Sequence, residues 1–259
     1  CASDVSLGKK DKKFSQKKLV IIGAGPAGLE LALQAAKRNI EVSIYEKQQY
    51  IGGNLIGASL IYEPYKKLLH YYQASINNKL IDLHLNKEIA LDDIEIKISS
   101  NQKIVVASGG VPSSSIPNAV NIQSFLNPFI MSNRGDIDSV RSDLKQEKYK
   151  NCAILGTDTI QLHLAKFLSS IGIDVSLVRN NETIGSSMPV VLRWKILDEL
   201  ANQVSVISEK DYLGREFDIT LDATFESKTN FNKFETIGDS KHGLAYIPQT
   251  AKDAVRYFK

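Results

Sequence analysis

The spacing of hydrophobic and polar positions changes several times along the chain, and each change marks an element. Leu19-Val20-Ile21-Ile22 is a short unbroken apolar run after a polar stretch, the pattern of a strand buried on both faces of a parallel sheet. Residues 26–38 are rich in helix formers, open with Pro26, where a missing N–H costs nothing, and close with Lys37-Arg38, which suit the dipole. They predict a helix. Ile40 to Glu46 alternates and is β-branched, which predicts a strand and completes a strand–turn–helix–strand unit. A second such unit begins at Asn151, with strands over Cys152–Leu155 and Val175–Val178 and a helix from Thr159 to Ser170.

Between the two units the pattern predicts a helix around Tyr65–Gln73 and strands near Ile81–Leu85, Ile94–Ile98 and Lys103–Ala107. The Pro/Ser/Asn-rich stretch from Val111 to Asn133 reads as a connector and as the best boundary. After the second unit come a helix near Val191–Leu200, strands near Val204–Ser208 and Ile219–Ala223, and a final helix over Ile247–Phe258.

Composition narrows the class. The 259 residues are 43% hydrophobic, enough for real cores and too apolar for a disordered chain. A net charge of +3 does not suggest a nucleic-acid binder, and no apolar run is long enough to span a bilayer. The lysine-rich segment from Lys9 to Lys18 is a solvated connector entering a domain. Two cysteines, Cys1 and Cys152, form neither a disulfide framework nor a Cys-x-x-Cys pair, so a reducing, cytoplasmic setting is expected. Because residue 1 is Cys and not Met, the chain is expected to begin partway through a longer product or after processing. Cys1 then reads as the scar of a cut, as a lipid-bearing cysteine, or as the last ligand of a site lying upstream.

The chemistry concentrates at the first strand-to-helix turn. Gly23-Ala24-Gly25-Pro26-Ala27-Gly28 is Gly-x-Gly-x-x-Gly, whose glycines permit the tight turn, the approach of backbone to a pyrophosphate, and close packing of helix on strand. Glu46 ends the next strand, where a carboxylate can accept hydrogen bonds from both ribose hydroxyls of an adenosine and would repel a 2′-phosphate. Ile51-Gly52-Gly53-Asn54-Leu55 supplies a second glycine-backed approach to phosphates. Val105-Val106-Ala107-Ser108-Gly109-Gly110 ends a strand in a small-residue turn, and Ile237-Gly238-Asp239 precedes the final helix.

With these motifs in order, the chain resembles the two-dinucleotide-domain flavoproteins. The stretch from Val42 to Leu55 is most similar to the C-terminal half of the 2,4-dienoyl-CoA reductase, 2-enoate reductase and trimethylamine dehydrogenase group. The resemblance implies an α/β fold: a three-layer, Rossmann-like FAD-binding domain from residues 18–130 and 228–259, after a basic linker at 1–17. A second, reduced NAD(P)-domain-like insertion would occupy 131–227. It implies cofactor contacts at Gly23, Gly25, Pro26, Ala27, Gly28, Glu46, Lys47, Gly53, Asn54, Leu55, Ala107, Ser108, Gly109, Gly238, Asp239 and Ile247, with Asp239 on the ribityl side. It also implies an upstream flavin and iron–sulfur domain or subunit as electron partner, for which Cys1 would be the last cluster ligand, and an oligomeric assembly without nucleic-acid or membrane partners. Redox chemistry would then belong to FAD, the chain being an electron-transfer module of a larger oxidoreductase.

The second unit departs from this pattern. Gly156-Thr157-Asp158-Thr159-Ile160-Gln161 keeps only the first glycine, and Asp158 brings bulk and negative charge to the place where backbone would meet a pyrophosphate. The expectation is a degenerate domain that does not bind NAD(P)H, with Arg179 a solvated strand-end residue. The Asp158-Thr159 pair is similar to the altered motif of the amine dehydrogenases, whose first domain holds ADP, so FAD and ADP both stay open. His70, His84, His163 and His242 are scattered, no nucleophile–base set is apparent, and the Tyr62, Tyr65, Tyr71 and Tyr72 cluster reads as packing.

Overall fold

A computed structural model describes residues 18–89, 102–112, 116–179, 182–223, 225–226, 234–238 and 247–258. Two five-stranded parallel sheets organise them. In the first, β1 (Lys18–Ile22) lies at the centre, β2 (Glu41–Tyr45) and β3 (Ile81–His84) to one side, and β4 (Gln102–Val106) and β12 (Glu235–Thr236) to the other. In the second, β7 (Asn151–Leu155) takes the centre, flanked by β8 (Asp174–Arg179) and β9 (Val204–Ser208), and by β10 (Ile219–Asp222) and β6 (Val120–Asn121). A short antiparallel ribbon joins β5 (Val111–Pro112) to β11 (Phe225–Glu226).

The apolar runs become strands because they can be covered on both faces. Leu19, Ile21, Val42 and Ile44 are buried under α1 (Pro26–Ala36), and Cys152, Ile154, Val175 and Leu177 under α6 (Thr159–Ser170). Leu29 and Leu31 of α1 are fully buried, each contributing about 1.5–3 kcal/mol. The last helix, α9 (Ile247–Arg256), returns to the first unit and packs on α1, with Ala254 and Phe258 buried and Arg38 lying 4.7 Å from the Phe258 ring centroid.

Several elements lie where the pattern suggested none. Asn54–Ile61 forms α2, ahead of the helix expected around Tyr65–Gln73, which is α3 over Pro64–Ser75. The expected connector at 111–133 instead contains β6 and an eleven-residue helix, α4 (Ile122–Ser132). Pro128 and the polar neighbours mask its apolar stripe, but Ile122, Phe125, Leu126 and Ile130 follow helical spacing and are all buried. Asn121 caps it by accepting the Gln123 N–H at 2.9 Å. The second sheet thus takes a strand from upstream of residue 131, and α5 (Ile137–Gln146) continues from it. The remaining helices are α7 (Val190–Leu200) and α8 (Glu209–Leu213). Helix α2 packs against α4, α5 and α6, and one continuous core runs through both units. The proposed strand at Ile94–Ile98 lies outside the described residues.

Candidate functional site

The β1–α1 turn is built by contacts that only small residues allow. The Gly23 N–H donates to the Tyr45 carbonyl at 2.8 Å, tying the turn to the end of β2. Gly23 has φ +106°, and a Cβ there would stand 2.4 Å from the Ala107 carbonyl oxygen. A Cβ on Gly28 would lie 2.0 Å from the Gly23 carbonyl oxygen. Gly25 is different: a Cβ built on it meets nothing within 4 Å. Its outer face is open space, as a backbone that receives a ligand requires. In α1, Leu29 N–H bonds to the Gly25 carbonyl at 2.9 Å, so the N–H groups of Ala27 and Gly28 precede the first intrahelical bond and can meet an anion with the dipole behind them.

The second glycine loop closes on the first. Gly52 N–H donates to the Ala24 carbonyl at 2.8 Å, and Gly53, with φ +52°, comes so near that its Cβ would stand 3.2 Å from the Gly25 Cα. Glu46 is buried beside this junction. Its Oε2 accepts the Ala24 N–H at 2.7 Å and its Oε1 accepts the Gln48 N–H at 2.9 Å. A carboxylate has about four lone-pair sites, so acceptor capacity is left for two hydroxyl donors.

The expected contacts therefore fall into groups. Gly23, Gly25, Pro26, Ala27, Gly28, Glu46, Gly53, Asn54 and Leu55 converge at the C-terminal end of β1 and β2, where ligands of open parallel sheets bind. Lys47 is exposed next to Glu46. Ala107 is buried against Gly23, and Ser108 and Gly109 follow at the end of β4. Gly238 lies just beyond β12, and its N–H donates to the Asp253 carboxylate of α9 at 3.4 Å. Ile247 opens α9. Asp239 and Cys1 lie outside the described residues, as does the side chain of Ile247.

The second unit repeats this frame at a constant offset of 133 positions, which carries Gly23 to Gly156, Tyr45 to Val178 and Gly52 to Gly185. The Gly156 N–H donates to the Val178 carbonyl at 3.0 Å and the Gly185 N–H to the Thr157 carbonyl at 2.7 Å, the same two bonds as in the first unit. The counterpart of Gly25 is Asp158, and that of Asn54 is Ser187. Asp158 Oδ1 accepts from the Ser187 N–H at 3.1 Å and from its hydroxyl at 2.7 Å, while Thr159 Oγ1 lies 2.9 Å from the same hydroxyl. Side chains thus clasp the two loops together where the first unit leaves the space beside Gly25 open. Gln161, in the place of Gly28, has its Nε2 where a Gly156 Cβ would be 3.1 Å away. Arg179 is exposed at the end of β8. The Ile184-Gly185 loop does have a sequence signal, the recurrence of Ile51-Gly52 at the same offset.

The other candidates are structural. His163 is half-buried against Tyr62, ring centroids 4.6 Å apart, and burial holds its pKa below the usual histidine value. Cys152 is buried in β7, and burial pushes its thiol up to about 12, so it offers no thiolate. Among the described residues no group of three or more His, Cys, Asp or Glu could hold a metal, and no helix is long and apolar enough to cross a membrane.

Residues 17–214 match the pyridine nucleotide-disulphide oxidoreductase family. The chain belongs to that family. Membership makes it an FAD/NAD-type nucleotide-binding flavoprotein of the oxidoreductase class. The disulphide chemistry in the family's description has no counterpart in the described residues, where Cys152 is a lone, buried thiol. NADH oxidase of Thermoanaerobacter brockii is 24% identical over 186 residues, which are 71% of this chain and 27% of that protein. A solved 2-naphthoyl-CoA reductase superposes with a TM-score of 0.71 at 22% identity, over 92% of this chain and 39% of that one. Histamine dehydrogenase from Rhizobium sp. 4-9 gives a TM-score of 0.71 at 15% identity, over 93% and 43% of the two chains. The chain thus spans less than half the length of each of these relatives.

Proposed function

We propose that the first unit holds FAD and serves as an electron-transfer module of a larger flavoenzyme in the 2,4-dienoyl-CoA reductase, 2-enoate reductase and trimethylamine dehydrogenase group. One observation carries the reading: Gly25 has an open outer face at the N-terminus of α1, with the Gly53 loop close against its backbone and buried Glu46 bonded to the neighbouring Ala24 N–H. In this reading the backbone of Gly23, Gly25, Gly28 and Gly53 lies along the pyrophosphate. Glu46 accepts from the adenosine ribose, already held in place by the Ala24 and Gln48 N–H groups. Ala107, Ser108, Gly109, Gly238 and Asp239 border the flavin side. When bound, the flavin supplies the redox step; the residues of this chain place it and set its electrostatic surroundings.

The second unit, in the same reading, does not take NAD(P)H, because the Asp158–Ser187 clasp fills the gap between its two loops and puts a carboxylate where a pyrophosphate would lie. Electrons then come from or go to another part of the larger enzyme. Its longer relatives, 2-naphthoyl-CoA reductase and histamine dehydrogenase by name, support such a setting. The Asp158-Thr159 pair favours a second reading, in which the first unit holds ADP as a structural nucleotide. Denaturing the purified protein and identifying the released molecule by absorption and chromatography separates the two. A yellow flavin extract is the expected result, a colourless adenine nucleotide establishes the second reading, and an extract with neither overturns both.

A further inference from the structure

We infer that Gln123, supplied by the second unit, is a positioning residue for the nucleotide loop of the first: it holds Asn54 at the rim of the gap beside Gly25. The inference rests on the reading of the first unit as a dinucleotide site.

Asn54 is the first residue of α2, directly after Gly53. Its counterpart, Ser187, bonds to Asp158, the counterpart of Gly25, so a side chain at this rim position can reach across the gap. In the first unit the rim side chain is engaged from the other direction. Gln123 Nε2 donates to Asn54 Oδ1 at 2.7 Å, across 69 positions of sequence. Gln123 is itself anchored, because its N–H caps α4 through Asn121 Oδ1 at 2.9 Å. With its oxygen engaged by Gln123, Asn54 keeps both Nδ2 hydrogens to offer, which is the correct polarity for a phosphate.

A second observation points to a ligand at the same place. Gln123 Oε1 is buried and has no hydrogen-bond partner among the described residues. It belongs to the same planar amide as Nε2 and so sits beside Asn54. Buried acceptors in folded proteins are paired, by protein, water or ligand. A hydroxyl or N–H donor of a nucleotide lying along the Gly53–Asn54 loop satisfies this one. On this account the second unit, its own gap clasped shut, acts on the first one's cofactor by fixing the loop that receives it.

The test is a double-mutant cycle on the full chain, stripped of bound nucleotide, with FAD and ADP each titrated by calorimetry. Gln123→Leu and Asn54→Ala are each expected to weaken the nucleotide that wild type binds by about tenfold, and the double variant by about tenfold again in total, not a hundredfold. The stripped Gln123→Leu protein is expected to melt within a few degrees of wild type; Gln123→Met replaces it in the cycle should Leu misfold. Unchanged affinity in the Gln123 variant, or losses that multiply, overturns the positioning role while leaving the site itself standing. A folded wild type that binds neither nucleotide overturns both.

Discussion

The two sheet units share a backbone and differ in what fills the space above it. Gly23 and Gly156 make the same hydrogen bond to the end of the second strand, and Gly52 and Gly185 make the same bond to the turn. At the position of Gly25 one unit has open space, and at Asp158 the other has a carboxylate bonded to Ser187. A parallel-sheet frame is therefore compatible with either content, because its main-chain bonds do not depend on the ligand. A few side chains at the helix start thus separate the two units, and in the second a clasp of side chains bridges the two loops.

The contrast can be broken most forcefully at the third glycine. Gly28→Val places a Cβ 2.0 Å from the Gly23 carbonyl oxygen and is expected to cost about 4 kcal/mol and to abolish nucleotide retention. Gln161→Ala, at the matching site, is expected to change stability by less than about 1 kcal/mol. Equal thermal shifts for the two variants would remove the asymmetry.

Glu46→Leu is the next largest. It leaves the Ala24 and Gln48 N–H groups without their acceptor, at about 2–3 kcal/mol, and removes the proposed ribose partner. The melting temperature of the nucleotide-free protein should fall by roughly 5–10 °C. A drop seen only when nucleotide is present would mean that Glu46 has no structural share.

The second gap is probed by titration. Trp194 is the only tryptophan in the chain and lies exposed in the first half of α7, which follows the Ser186–Ser187 loop, so its fluorescence reports on that region. NADH and NADPH are expected to give no saturable quenching; micromolar saturation by either would show the clasp to be an openable gate. Asp158→Ala is expected to lower stability by about 1 kcal/mol, the net value of a partly exposed hydrogen-bonded pair.

The smallest expected effect lies at the seam between the units. The His163 pKa is lowered chiefly by burial, with Lys166 adding to it, so the unfolded chain binds more protons at this site than the folded one. Stability should be complete above the unfolded value of about 6.5 and should fall as pH drops below it. His163→Phe is expected to flatten that part of the denaturation profile by less than about 1 kcal/mol. An unchanged slope would place the titration elsewhere.

Much of this was legible in the chain because it depends on neighbours in sequence. The helix at Thr159–Ser170 and the strand at Val204–Ser208 follow from local pattern, and the glycine turn carries its own reason for each glycine. Helix α4 was not legible, since Pro128 and the surrounding Asn residues argue for a loop until Phe125, Leu126 and Ile130 are seen against α2. The Asn54–Gln123 bond joins residues 69 positions apart and has no local signature. The Asp158–Ser187 clasp had half of one: the bulk and charge of Asp158 were plain, its partner was not.

Periodicity and glycine spacing are short-range properties of the chain, and they suffice for the two units, the flavoprotein class and the side chains that distinguish one turn from the other. Packing sets the rest: Gly25 faces open space while Asp158 is bonded, Glu46 is held by two backbone N–H groups, and Gln123 of the second unit bonds to the loop of the first. Those facts depend on distances across loops and between sheets, which are set by how the helices pack and not by the order of residues within any one of them.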